Sequence, residues 1–428
     1  MMKLTTASQF FQEKQNQPEQ TNDSHLDTTV LDIISDVKKT GDDALQRLTE
    51  KFDGFKLDRI TVSEKEFLEA EKVVSQEFKA ALRTARENIS AFHAGQKEQS
   101  WFMNQPGGIT LGQKVTPIER VGVYIPGGKA SYPSSVLMNV IPAQLAGVNE
   151  IAITTPPDEN GQISPYVLVA AKEAGVKTVY KVGGAQAIAA LAYGTESIGK
   201  VFKIVGPGNA YVARAKKWVF GDVAIDMIAG PSEICIIADE TAQPRFVSAD
   251  LLSQAEHDEE ARPFLITTSR QMAEIVKDEI SRQTEHLERN AIIQQSLTRN
   301  GRIILAESLS EAFDTANLIA PEHLQLMIRQ PFENLANITN AGAIFLGNFS
   351  PEPLGDYAAG PNHTLPTSGT AVFSSPLGVY DFVKKSSVIH YPNAALNQIS
   401  ADIMSLADAE GLTAHANSIQ IRKDESDA

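Results

Sequence analysis

Cysteine is almost missing from this chain: Cys235 is the only one among 428 residues. A single thiol excludes an intrachain disulfide framework and points to a reducing compartment, so a cytoplasmic protein is expected. No run of 18 apolar residues occurs, which argues against a transmembrane helix. Met1 to Gln20 is rich in Gln, Glu and Lys and lacks the apolar centre of a secretory signal. Positive charge is also short: 38 Lys and Arg against 53 Asp and Glu leave a net charge of −15. That balance argues against a nucleic-acid or anionic-membrane partner and suits a cationic or neutral substrate. The G-x-G-x-x-G fingerprint is absent, so any dinucleotide must be held in a non-standard way. Neither an internal repeat nor a low-complexity tract is visible.

What is present describes an ordinary globular protein, with 42% hydrophobic and 21% charged residues. The length allows two or three folding units. Leu4, Phe10 and Phe11 among polar residues, followed by a polar gap from Pro18 to Ser24, predict a short amphipathic arm and a linker. From Leu26 to Lys97 the pattern is helical, with a Ser63-x-x-Glu66 capping box and apolar residues at helical spacing from Phe78 to Phe92. Gly108–Leu111 and Arg120–Ile125 then introduce strands.

From about Val121 to Gly347, short apolar runs alternate with helical segments. Strands are expected at Val121–Ile125, Glu150–Thr155, Thr178–Val182, Val201–Val205, Ile234–Ala238, Phe264–Thr268, Arg302–Ala306 and Ala343–Leu346. Helices are expected at Ser135–Gly147, Tyr166–Ala174, Ala185–Tyr193 and Ala210–Phe220. This rhythm predicts an α/β fold with largely parallel strands, divided into two open sheets, with a crossing point at Ala229-Gly230-Pro231. From Pro376 onward the rhythm fades into a helix-rich tail, Ala395–Ala407, followed by Glu410–His415. A tail with so little core must dock on the main body or on another subunit.

Several stretches carry residues suited to chemistry. Within Asp250–His257, a helix would set Gln254 and His257 at i and i+3 on one face, able to hold half of a metal site, while Leu251, Leu252 and Ala255 face a core. Alone, such a pair is more often a solvated face. Tyr124–Gly128, Gly183–Gln186 and Gly206–Asn209 each follow a strand and open a helix, where backbone N–H groups can hold anionic oxygens. Any one of these loops is more often a plain tight turn; three in succession favour a nucleotide or similar ligand. Glu322-His323 sets a carboxylate beside an imidazole, two groups that can act as bases near neutral pH. Successive strand residues face opposite ways, so a joint role needs irregular backbone near Pro321, and an exposed pair at a strand start is the plainer expectation. Gly355–Thr367 reads as a loop bearing Asp356 and His363. Cys235, among Ile234, Ile236 and Ile237, reads as strand core rather than as a thiol nucleophile.

Taken together and in order, these stretches resemble the histidinol dehydrogenase family. The matching segments are Val123–Gly128, Gly183–Ile188, Gly206–Val212, Ile225–Glu233, Gln254–His257, Pro321-Glu322-His323, the Asp356–Pro366 loop and Glu410–His415. The resemblance implies a zinc enzyme that oxidises L-histidinol through L-histidinal to L-histidine, reducing two NAD+, at the end of histidine biosynthesis. It implies one Zn2+ per subunit on Gln254, His257, Asp356 and His415, acting as a substrate anchor. Glu322 and His323 would be the acid–base pair. Ser232, His363 and Glu410 would join the metal ligands and His323 in contacting substrate. Tyr124, Gln186 and Asn209 would hold NAD+. It further implies a homodimer with sites shared through an exchanged C-terminal tail. The implied fold is two incomplete Rossmann-like open sheets with helices on both faces. The implied domains are an arm at 1–22, a main domain at 23–123 with 232–375, an NAD domain at 124–231 and a dimerisation domain at 376–428. Ile228 and Val372 stand where the family is expected to have Pro and Arg. The nearest alternative is a paralogous zinc and NAD dehydrogenase of another small polar alcohol; a zinc hydrolase or a metal-stabilised assembly protein fits less well.

Overall fold

A computed structural model describes residues 2–16, 24–127 and 131–427. The chain forms two compact units, Met1–Gln96 with Glu119–Phe382 and Lys97–Ile118 with Val383–Ala428. The linker expected from Pro18 to Ser24 falls, apart from Ser24, outside the described residues, as does Gly128.

The first unit holds two wholly parallel sheets. One has six strands, in spatial order Lys3–Thr6, Arg302–Leu305, Arg262–Thr267, Glu233–Ala238, His323–Met327 and Ala343–Leu346. Its central strand, Glu233–Ala238, is apolar at almost every position because both faces are covered. Ile234, Ile236 and Ala238 join a core with Val247, Leu251, Leu252 and Ala255 of the helix Pro244–Ala255. Cys235 and Ile237 point the other way, into a core with Phe10, Phe313 and Ala316. The expected amphipathic arm is part of this sheet. Lys3–Thr6 pairs in parallel with Arg302–Leu305, and a Thr6–Gln9 capping box starts the helix Ala7–Gln15, which buries Ala7 and Phe10. Four residues with weak alternation were too few to show as a strand; the partner strand lies three hundred residues away in sequence.

The second sheet runs Thr178–Tyr180, Glu150–Thr154, Arg120–Tyr124, Lys203–Val205 and Ala224–Ile225. The chain builds outward from Arg120–Tyr124 to one edge, then returns to build the other. The reversal therefore lies between Arg120–Tyr124 and Lys203–Val205, where open parallel sheets form a ligand crevice. The helix Gly184–Tyr193 is buried nearly all round between the sheet and the helices Ser24–Thr40 and Ala210–Val219, and is accordingly almost wholly apolar, with alanines interspersed with Ile188 and Leu191. The Ser63 capping box and the helix Gln76–Ala94 stand as the sequence predicts.

The second unit is an antiparallel sheet of Trp101–Gln105, Ile109–Pro117 and Val383–His390, with the helices Asn393–Ala409 and Thr413–Asp427. The strand after Phe382 was not legible in a tail expected to be helical. It pairs with Ile109–Pro117 from Val383↔Pro117 to His390↔Thr110, a contact that no local pattern announces. Trp101, Phe102, Ile389 and Leu406 are exposed on this unit. Among the described residues no helix is long and apolar enough to cross a membrane.

Candidate active site

The amino edge of the six-stranded sheet gathers the Glu322–His323 pair. Glu322 and His323, at the start of His323–Met327, are both buried rather than exposed. The backbone is irregular where the spacing required it: Ala320 adopts φ +49°, and Pro321 follows. Both side chains then turn to the main chain of one residue of the neighbouring strand, Glu233. The Glu233 N–H donates to Glu322 Oε2 at 2.8 Å, and His323 Nδ1 lies 3.0 Å from the Glu233 carbonyl oxygen. A carbonyl only accepts, so Nδ1 carries a proton and Nε2 is the atom left for chemistry. Nε2 has no hydrogen-bond partner and lies 3.6 Å from Asp356 Oδ1. Gly342 backs onto the pair; a Cβ there would come within 2.5 Å of the Glu322 carbonyl oxygen.

Asp356 is not on a loop. It lies on the short helix Glu352–Tyr357, with Glu352 one turn before it on the same face. Composition misled here because Pro353 and Gly355 lie inside the helix; proline is tolerated in a first turn, and a side chain at 355 would strike the Phe345 ring. Across from it, Pro244–Ala255 follows the central strand and runs back, so its last turn reaches the same sheet edge. Gln254 is in that turn, and His257 lies just beyond the helix end. His257, Glu352 and Asp356 present ligand atoms that all lie within 4.8 Å of one another. Gln254 is buried with neither amide atom partnered, and Glu352 Oε1 is likewise buried and unpartnered. Buried polar groups are normally satisfied, so a cluster of oxygen and nitrogen donors left bare fits a cation. Zinc, which takes nitrogen and oxygen donors, suits the set.

Electrostatics agree with that geometry. Burial pushes the Glu322 carboxyl up to about 7, against the opposing pull of His323 and the Glu233 N–H. Burial would lower His323, but the carboxylates of Glu322 and Asp356 outweigh it and raise the imidazole to about 10. Burial, and then the charge of Asp356, lifts Glu352 to about 8. Asp356 itself is held well below the ordinary carboxylate range, because His323 and His363 more than offset its burial. His257 is depressed, chiefly by burial. These carboxylates and imidazoles share one field and titrate together.

A cavity of about 490 Å³ opens beside the pair, lined among others by His93, His323, Phe345, Asp356, His363 and Tyr380. His363 is tied at both ring nitrogens, Nδ1 to the Asp356 carbonyl oxygen at 3.0 Å and Nε2 to Ser135 Oγ at 3.1 Å. Ser232 immediately precedes Glu233 at the sheet edge, and its carbonyl accepts from the Arg262 N–H.

The glycine loops lie at the carboxyl edge of the five-stranded sheet. Buried Tyr124 ends the central strand and its hydroxyl accepts from the Gly184 N–H at 3.1 Å, joining the first loop to the second. Gln186 is buried with its Nε2 unpartnered. Asn209 caps the helix Ala210–Val219, accepting from the N–H groups of Tyr211 and Val212 at 3.1 Å each. Gly206 has φ +110°, and a Cβ there would meet the Tyr124 carbonyl oxygen at 2.1 Å, so only glycine fits. A buried ion pair fixes this loop from below. Asp226 accepts from the Gly206 N–H, Lys216 donates to the Gly206 carbonyl, and the two side chains pair with each other.

Glu410 and His415 belong to the second unit, where they are exposed on either side of Gly411 and Leu412. Sequence reasoning passed over Glu233, Glu352 and the Lys216–Asp226 pair. The four-residue spacing of Glu352 and Asp356 was the one available signal, and it carries weight only once the segment is known to be helical.

The chain matches the family model for histidinol dehydrogenase over residues 16–423. It is 55% identical to a histidinol dehydrogenase of Oceanobacillus iheyensis over 427 residues, covering 100% of both chains. It is also 55% identical to one of Clostridium acetobutylicum over 394 residues, 92% of this chain and 91% of that one. The crystal structure of histidinol dehydrogenase from Elizabethkingia anophelis superposes with a TM-score of 0.94 at 41% identity, covering 100% of this chain and 99% of the other. With its buried Glu322–His323 pair, bare donor cluster and glycine loops set on the fold those relatives share, the chain belongs to the histidinol dehydrogenase family.

Proposed function

We propose that this protein oxidises L-histidinol to L-histidine through L-histidinal, using two NAD+ and one bound zinc ion. The observation that carries the reading is the buried Glu322–His323 pair, held by the main-chain N–H and carbonyl of Glu233, with His323 Nε2 free of a hydrogen bond among the described residues and facing Asp356. Gln254, His257 and Asp356 would hold the zinc, with His415 supplied by a second copy of the chain. Zinc bound there supplies a Lewis acid that anchors the nitrogens of the substrate and takes up carboxylate charge that otherwise holds His323 protonated.

The chain's own groups then divide two oxidations between them. His323 Nε2 takes the hydroxyl proton as the carbinol carbon gives up a hydride, leaving the aldehyde. Glu322, with a carboxyl poised near neutrality, takes a proton from the water that adds to that aldehyde. The hydrate loses its second hydride from the same carbon and leaves as the carboxylate. Tyr124, Gln186 and Asn209 would position the dinucleotide at the switch point of the five-stranded sheet. Ser232, His363 and Glu410 would contact the substrate, His363 after Ser135 turns aside. A homodimer with exchanged tails accords with a second unit that exposes Trp101, Phe102, Ile389 and Leu406.

The test is a stoichiometry. Purified protein with zinc, NAD+ and limiting L-histidinol should yield two NADH per histidinol and accumulate histidine. One equivalent, or turnover confined to another alcohol, overturns the assignment.

A further inference from the structure

We infer that Glu352 is a metal-centre carboxylate, binding beside Asp356 the ion held by Gln254 and His257. The inference rests on the zinc reading above and extends its ligand set to a residue that none of the sequence motifs contained. Glu352 and Asp356 stand one turn apart on one face of Glu352–Tyr357, and both direct an oxygen to the place where His257 presents a ring nitrogen. Glu352 Oε2 accepts from Ser253 Oγ at 3.1 Å, on the turn that also carries Gln254. That bond fixes the carboxylate and leaves Oε1 pointing away from it. Oε1 has no partner, and Glu352 is only 1% exposed, so water does not solvate it. A second bare atom faces the same place: His323 Nε2, on a residue 3% exposed, lies 3.6 Å from Asp356 Oδ1 without bonding it.

Two carboxylates on successive turns, one buried and one largely so, need a cation near them or a proton between them. The choice decides the role. If Glu352 simply stays protonated and donates to Asp356, a glutamine amide can take its place, being neutral and able to donate. If Glu352 serves the metal as a carboxylate, glutamine is a poor substitute.

The test uses full-length protein stripped of metal, with zinc affinity read by competition against a chromophoric chelator, in the absence of NAD+ and histidinol. Glu352→Gln should weaken zinc binding about 10- to 100-fold, the range seen when groups supporting a metal site are removed. The thermal midpoint of the metal-free protein should stay unchanged or rise. Ser253→Ala, which frees Oε2 without touching a charge, should weaken zinc binding by a smaller factor in the same direction, and it serves if Glu352→Gln does not fold. Zinc affinity equal to wild type in Glu352→Gln overturns the proposal and leaves Glu352 as a buried acid. His257→Asn is the control that separates the two levels. If wild type binds zinc and His257→Asn does not, an unchanged Glu352→Gln defeats this inference alone. If wild type and His257→Asn take up zinc alike, the zinc reading itself fails and carries this one with it.

Discussion

The two sheets of the first unit place their working residues at opposite ends. On the five-stranded sheet the glycine loops lie at the carboxyl ends of the strands, beside the reversal in strand order. On the six-stranded sheet Glu233, Glu322 and His323 lie at the amino ends, and the helices that return there bring Gln254 and His257 with them. The carboxyl-end rule for parallel sheets finds the first site and misses the second. Their polar accounts also differ. Around Gly206 a buried lysine and aspartate pair with each other and with the loop backbone, although Gln186 at the same edge keeps a bare Nε2. Around Asp356, three buried side chains, Gln254, His323 and Glu352, hold atoms without a hydrogen-bond partner among the described residues. A loop finished in advance binds a ligand through its backbone. A cluster left bare needs an ion or a substrate to complete it, and stores the cost until one arrives.

Substitutions at each edge should break different things. At the amino edge, His323→Asn removes the base while leaving the fold of the cofactor loops. The first oxidation should fall by a factor of roughly 10²–10⁴, with NADH binding, followed by fluorescence titration, unchanged. Loss of both together would mean that the two edges are not separable. At the carboxyl edge, Lys216→Met strands Asp226 in a dry site and should cost about 3–5 kcal/mol of stability by urea unfolding. KM for NAD+ should rise more than kcat falls.

A pH profile sharpens the amino edge further. Glu322 with its carboxyl near 7 is protonated below that pH and cannot accept a proton. Oxidation of supplied histidinal should therefore rise with pH and level off above about 7, dropping roughly tenfold per unit on the acid side. In Glu322→Gln that limb should vanish along with most of the rate. A limb that persists in the variant would assign it to another group. The smallest effect is expected at Asn209. Asn209→Ala should cost about 1 kcal/mol by loss of the helix cap, whereas Asn209→Asp keeps the capping oxygen. If Asn209 also touches the dinucleotide, the aspartate variant will unfold like wild type yet bind NAD+ more weakly. Equal affinity would leave Asn209 a cap alone.

What could be read in the sequence follows the same division. The glycine loops, the helix starts and most parallel strands are set by neighbours within a few residues, and these are where the expectations hold. The Asp356 segment read as a loop because its proline and glycine are local signals, whereas its helix is held by contact with Phe345 and the sheet edge. The edge strand Lys3–Thr6 and the tail strand Val383–His390 depend on partners about three hundred residues distant, which no window contains. Glu322 and His323 were visible as a pair, but their burial was not, because it comes from the strand Glu233–Ala238 beside them.

One feature of that strand bears on how the site can change over generations. The Glu322–His323 pair is anchored to the N–H and the carbonyl of residue 233, not to its carboxylate, which is engaged with Arg262 and the Ser368 N–H. Every amino acid but one brings the same main-chain N–H and carbonyl. A change of codon at position 233 can alter the strand's surroundings while the anchor is copied intact, and only proline, which has no N–H to give Glu322, deletes half of it. The residue that holds the chemistry in register is thus insured against most mutations by being written in main chain.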